Sequence, residues 1–231
     1  MAKPRLKRTP AEIVGRILFL TLILSFVYSL TRVFIAPVES GNIYTHVRSD
    51  YILMSIQCLL GLVVLSLPSI VGRKWNVTIP NFIYIMYYLF LYCAIFLGEV
   101  LDFYYVIPHW DTILHFFSGA MLGALGFILI SWLNDSDMVR VSLSPIFVAL
   151  FAFCFALSCG AVWEIYEYTF DGLLGLNMQK FITADGTVLV GHAALRDTMK
   201  DIIVDALAAF LMAAIGYSRL KAEKWHNKTK E

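Results

Sequence analysis

Charge is scarce in this chain. Lys and Arg number 18 and Asp and Glu 17 among 231 residues, giving a net charge of +1 with histidine neutral. That balance gives no hint of nucleic acid, and no basic stripe interleaved with aromatics is present. Polar stretches long enough for a soluble domain are missing as well, while 59% of the residues are hydrophobic. Such a composition suits a polytopic membrane protein. Cysteine is rare. Cys58, Cys93, Cys154 and Cys159 all fall in apolar runs without CxxC spacing, which reads as small buried hydrophobes rather than disulfides. There is no phosphate-binding glycine loop and no Ser/His/Asp order. The absence of a Glu-x-x-His pair places a di-iron bundle low among the metal readings.

What the chain does have is long apolar runs. A bilayer core needs about 20 apolar residues per helix, and six segments qualify: 13–35, 51–71, 82–106, 112–133, 145–166 and 198–217. The first is too long for a signal-peptide core and lacks an A-x-A site after it, so an uncleaved span is expected. Of the Lys and Arg residues, only Arg32, Arg48, Lys180, Arg196 and Lys200 fall on one side of these spans. The rest share the other side, which places both termini in the cytoplasm. The expected fold is therefore an all-α polytopic membrane bundle of about six helices, a single integral domain over 1–231. Basic cytoplasmic tails would cover 1–12 and 218–231, with outward loops at 37–50, 107–110 and 172–196. In the last of these, Asp185-Gly186 between β-rich runs suggests a small hairpin.

The few charges inside the spans are not scattered. Span three ends with Glu99 and Asp102. Span four opens with Asp111 and has His115 one turn on. Span five ends with Glu164, Glu167 and Asp171 on one face, and span six opens with Asp197, Asp201 and Asp205 at four-residue spacing. At about 1.5 Å per residue, Asp205 lies about 12 Å below Asp197. Each such charge costs about 2.5–3.5 kcal/mol at a helix centre on insertion scales. Asp111 and Asp197 each precede Thr and read as helix N-caps. Asp102 and Asp171 read as interfacial groups touching water. Asp201, Asp205, Glu164 and Glu167 have no such explanation, because the aspartates lie past the first turn and the glutamates sit near a helix C-terminus, where the dipole disfavours them.

Shared protons, basic partners or a bound cation can hold such a group together. Lys200 and His115 are the only nearby bases in this reading, too few for the acids, so a cation leads. Oxygen ligands with at most one imidazole favour Mg, Ca or Mn, with Zn or Fe also compatible. The candidate metal set is Asp111, His115, Glu164, Glu167, Asp197, Asp201 and Asp205, with His115 or Glu167 as acid or base. Gly119, Gly123 and Gly126 in GAMLGALG allow close helix approach in span four.

The segments WDTILHFFSGAMLGALGF, LSPIFVALFAFCFALSCGAVWEIYE, NMQK and LRDTMKDIIVDALAAFLMAAIGY resemble the YjdF-like group of bacterial integral membrane proteins over roughly 100–217. The order D-x-x-x-H, W-E-x-x-E, D-x-x-x-D carries the resemblance. It implies a bacterial plasma-membrane location and supports Asp111, His115, Glu164, Glu167, Asp197 and Asp201, but it implies no activity. A looser similarity is to VanZ-like proteins, through the Asp111–His115 spacing, and suggests a cell-envelope theme. The resulting expectation is a divalent-metal-dependent membrane enzyme acting on a lipid or lipid-linked envelope substrate. A proton- or cation-coupled transporter and a non-catalytic scaffold or sensor are the rivals. The transporter is disfavoured by the near absence of ionisable groups in the inner halves of spans four to six.

Overall fold

The computed structural model describes residues 9–38, 46–74, 79, 81–135, 143–183 and 186–228. In chain order the elements are α1 (Pro10–Ile35), α2 (Arg48–Leu65), α3 (Leu67–Lys74) and α4 (Asn81–Leu91), which continues as a π-helical segment (Tyr92–Val100). Then come α5 (Phe103–Val106), α6 (Trp110–Asp135), α7 (Pro145–Leu174) and α8 (Arg196–Lys228). Every named element among the described residues is a helix. Five helical stretches are long and apolar enough to cross a membrane: Pro10–Ile35, Arg48–Lys74, Asn81–Val100, Trp110–Leu133 and Pro145–Leu174. The sixth expected segment, 198–217, lies inside α8, an unbroken helix of 33 residues that is not one of those five.

Local chemistry explains several boundaries. Thr9 accepts from Glu12 N at 3.3 Å while the Glu12 carboxylate accepts from Thr9 N, a capping box with Pro10 at the first helical position. Ser144 caps α7 by accepting from Phe147 N, again with proline next. Span two lies within one helical stretch, Arg48–Lys74, as expected, interrupted only by a turn at Ser66 just before Pro68, whose ring removes a backbone donor. Span three is expected to run unbroken to residue 106. It ends instead at Val100, because Asp102 adopts a left-handed conformation (φ 61°) before the short α5. Span five runs on past the expected residue 166 to Leu174, where Gly175 at φ 64° supplies the left-handed stop.

The chain forms two compact units, Met1–Trp110 and Asp111–Glu231. The first packs Leu18, Leu22, Tyr51, Met54, Cys58, Tyr88, Leu91 and Ile95 into one apolar core. Within it, Ser55 Oγ donates to Ser29 Oγ at 2.8 Å in a buried bond between α1 and α2. His46 Nε2 lies 2.9 Å from Asp102 Oδ2, and its Nδ1 lies 3.7 Å from Asp50. Asp102, expected as an interfacial group touching water, keeps a one-third-exposed side chain and adds an imidazole partner.

The second unit packs α6, α7 and α8 closely. A Cβ added at Gly126 would come within 2.7 Å of Ala152 Cα on α7, and one at Gly119 within 3.0 Å of the Asp205 carbonyl on α8. The small residues of span four therefore serve helix contact, as expected. Large apolar side chains such as Ile165, Leu207 and Phe210 stay exposed, at 63%, 60% and 65%, while Asp201 and Asp205 are 2% exposed. A polar interior under an apolar exterior is what lipid solvent demands. One cysteine reading is corrected by the same logic. Cys58 is buried, but Cys93 and Cys159 are half-buried and Cys154 is exposed, since an apolar thiol loses nothing by facing acyl chains.

Candidate metal centre

The loop after α7 is built by short-range bonds. Asp171, in the last turn of α7, accepts from Met178 N at 2.7 Å and Gln179 N at 2.9 Å. The Asn177 side chain pairs with the backbone of Ile182, accepting at 2.8 Å and donating at 2.7 Å. Gln179 Nε2 donates to Thr198 Oγ1 at 2.7 Å, tying the loop to α8. Beyond it, Ile182 and Val188 form an antiparallel bridge, and Gly186 at φ 83° donates to Thr183 O. This narrow turn sits where the hairpin is expected; Asp185 lies outside the described residues. Asp171 is buried and used as a brace, which corrects its reading as a water-exposed interfacial acid.

The braced loop carries Lys180, in a left-handed conformation at φ 49°. Its ammonium pairs with Asp111 Oδ2 and lies 3.6 Å from Asp197 Oδ2. Burial works against this ammonium, but the Asp111 and Asp197 carboxylates more than reverse it and hold its pKa above the ordinary lysine value. Sequence reasoning missed this base, naming Lys200 and His115 instead. The signal was the NMQK segment, whose lysine becomes relevant only once the Asp171 brace folds the loop back. Asp111 and Asp197 both lie one residue inside their helices. They are therefore not N-caps, and both are directed at Lys180.

Below Lys180 lies a second, drier tier. His115 Nδ1 is 3.2 Å from Asp205 Oδ2. Its Nε2 is 3.8 Å from both Asp111 Oδ1 and Glu164 Oε1, too far for a hydrogen bond to either. Asp111, His115 and Asp201 each offer one ligand atom, and the three atoms lie within 4.8 Å of one another. Glu164 is 4% exposed, and neither of its oxygens accepts a hydrogen bond among the described residues; Oδ1 of Asp201 and of Asp205 are likewise unaccepting. Leaving buried carboxylates uncompensated costs on the order of several kcal/mol each. Gly160 on α7 makes room for this tier, since a Cβ there would fall on the Asp205 carboxylate.

Glu167 stands somewhat apart. It is half-buried, and Oε1 accepts from Trp163 Nε1 at 2.9 Å. Because α7 runs on to Leu174, Glu164 lies well inside the helix, and the expected dipole penalty at a C-terminus does not apply to it. The bases closest to the acids are Lys180 and His115.

Fold and site together define a polytopic helical membrane protein with an acid-and-imidazole cluster buried among its helices. The chain belongs to the family described as "Predicted membrane protein (DUF2238)", which matches residues 16–222. It is also similar to an uncharacterized protein of Thermotoga maritima, 33% identical over 125 residues, or 53% of this chain and 55% of that protein. The chain thus spans about half the length of the curated relative it matches. No solved structure matches it.

Proposed function

We propose that the cluster holds a divalent cation near the outer face of a bacterial plasma membrane, and that the protein is a metal-dependent enzyme acting on a lipid or lipid-linked envelope molecule. The observation that carries this reading is the set of buried carboxylate oxygens on Glu164, Asp201 and Asp205 that accept no hydrogen bond around His115. Asp111, His115 and Asp201 are the ligands. Asp205 accepts from His115 Nδ1 and so leaves Nε2 for the ion, an outer-shell carboxylate arrangement common around metal-bound histidine. Glu164, with Glu167 three residues on, supplies the acid and base. One imidazole among oxygens suits Mn or Zn as well as Mg and Ca. Such an ion polarises a phosphoryl or ester oxygen, or activates water.

Transport is the weaker reading. Past Asp205 the face of α8 turned to its neighbours is alanine, with Ala208, Ala209 and Ala213 buried, and offers no polar path onward. The purified protein should carry about one equivalent of divalent metal by elemental analysis, and Asp201→Asn should lose it while staying folded. Metal-free wild-type protein that takes up no Mn, Zn, Mg or Ca would end this reading.

A further inference from the structure

Lys180 and the candidate ion draw on the same carboxylate. Asp111 offers Oδ2 to the Lys180 ammonium and turns Oδ1 toward His115 Nε2. It is also one of the three groups that can close on a cation. A divalent ion at that oxygen takes up part of the Asp111 charge, and the hold of Asp111 on the ammonium weakens. Lys180 then stands beside the ion with Asp197 at 3.6 Å as its other acid.

Two more features mark this mouth. Asp111 and Asp197 lie in the first turns of α6 and α8, so the first turns of two long helices supply the carboxylates around the Lys180 ammonium. Helix N-termini favour anions. The loop is also held in place by Asp171, Asn177 and Gln179, and the Lys180 side chain is 25% exposed, so its ammonium lies between the dry tier and the outside. The buried oxygens of Glu164 and Asp201 beneath it independently call for a positive ligand in the inner tier.

We propose that Lys180 and the ion at Asp111, His115 and Asp201 together receive a phosphate group, the ion taking one oxygen and the lysine another. This rests on the metal reading above and names its substrate class: a phosphate-bearing headgroup or phosphate itself. Phosphate is a multi-oxygen anion that a metal and an ammonium bind jointly.

The test uses the full chain and linkage. If phosphate binds the ion and Lys180 together, it must raise the affinity for the ion by the factor by which the ion raises its own. Mn affinity is read by electron paramagnetic resonance of free Mn. Wild-type protein is measured in detergent with inorganic phosphate, and in phosphatidylcholine nanodiscs with or without phosphatidic acid. The expected gain in Mn affinity is about tenfold, absent in Lys180→Met and retained in Lys180→Arg. A gain with both probes assigns the site to phosphate in general, and a gain with phosphatidic acid alone assigns it to a lipid headgroup. Mn binding that ignores both probes, or a gain that survives in Lys180→Met, overturns the proposal and leaves the metal site standing. Wild-type protein that binds no Mn overturns the proposal, and wild-type protein that takes up no Mn, Zn, Mg or Ca overturns both.

Discussion

At the scale of single residues, the site depends on one oxygen pair and one missing Cβ. Asp205 is fixed by His115 Nδ1, and its carboxylate occupies the space that Gly160 leaves open. Gly160→Ala should therefore push Asp205 out of register. The expected cost is about 1–3 kcal/mol of stability from overpacking and about 10–100-fold in metal affinity, the usual loss when a ligand's outer partner is disturbed. Thermal unfolding and Mn titration read the two separately. In the other unit, His46 behaves as a stabilising cation. Hydrogen bonds to Asp102 and then Asp50 outweigh partial burial and raise its pKa to about 10. The folded value lies above the unfolded value of about 6.5, so its contribution is complete below about 6.5 and is lost as pH climbs through about 10. Unfolding midpoints measured across that window should fall more steeply for wild type than for His46→Gln, whose curve lacks this component.

At the scale of elements, the loop after α7 is the working part. Asp171 takes two backbone N–H groups at once and starts the turn that carries Lys180 back over Asp111 and Asp197. Removing that acceptor in Asp171→Ala leaves the Met178 and Gln179 amides without it, at about 1–3 kcal/mol. The loop should then be cut faster in limited proteolysis, while α6, α7 and α8 keep their protection. Equal cleavage rates in variant and wild type would show that Asn177 and Gln179 suffice to hold it.

At the scale of the whole molecule, the loop after α7 offers a test of orientation. Val190 is 78% exposed in the segment that the Lys and Arg distribution places outside. With the four native cysteines replaced by alanine, Val190→Cys should react with a water-soluble maleimide in intact cells, and Lys221→Cys only after lysis. The reverse pattern would turn the cluster toward the cytoplasm and remove the envelope-substrate argument. Wild-type Cys154, exposed on an apolar helix, should resist the water-soluble reagent and accept a membrane-permeable one.

The amino-acid order alone determined the helical membrane class, because runs of apolar residues long enough to span lipid leave the backbone no other way to satisfy its polar groups. It also singled out Asp111, His115, Glu164, Asp201 and Asp205, since charge inside an apolar run is costly wherever it occurs. Only the tertiary structure decided how these groups divide the work. Lys180 became the main basic partner through bonds made by Asp171 and Gln179, which no periodicity encodes. His115 gained separate neighbours on its two nitrogens, Glu164 moved from a helix end to a helix interior because α7 runs on to Gly175, and Gly160 acquired its purpose from a carboxylate on another helix. Burial and partner choice are properties of packed pairs, and the members of these pairs lie tens of residues apart in the chain.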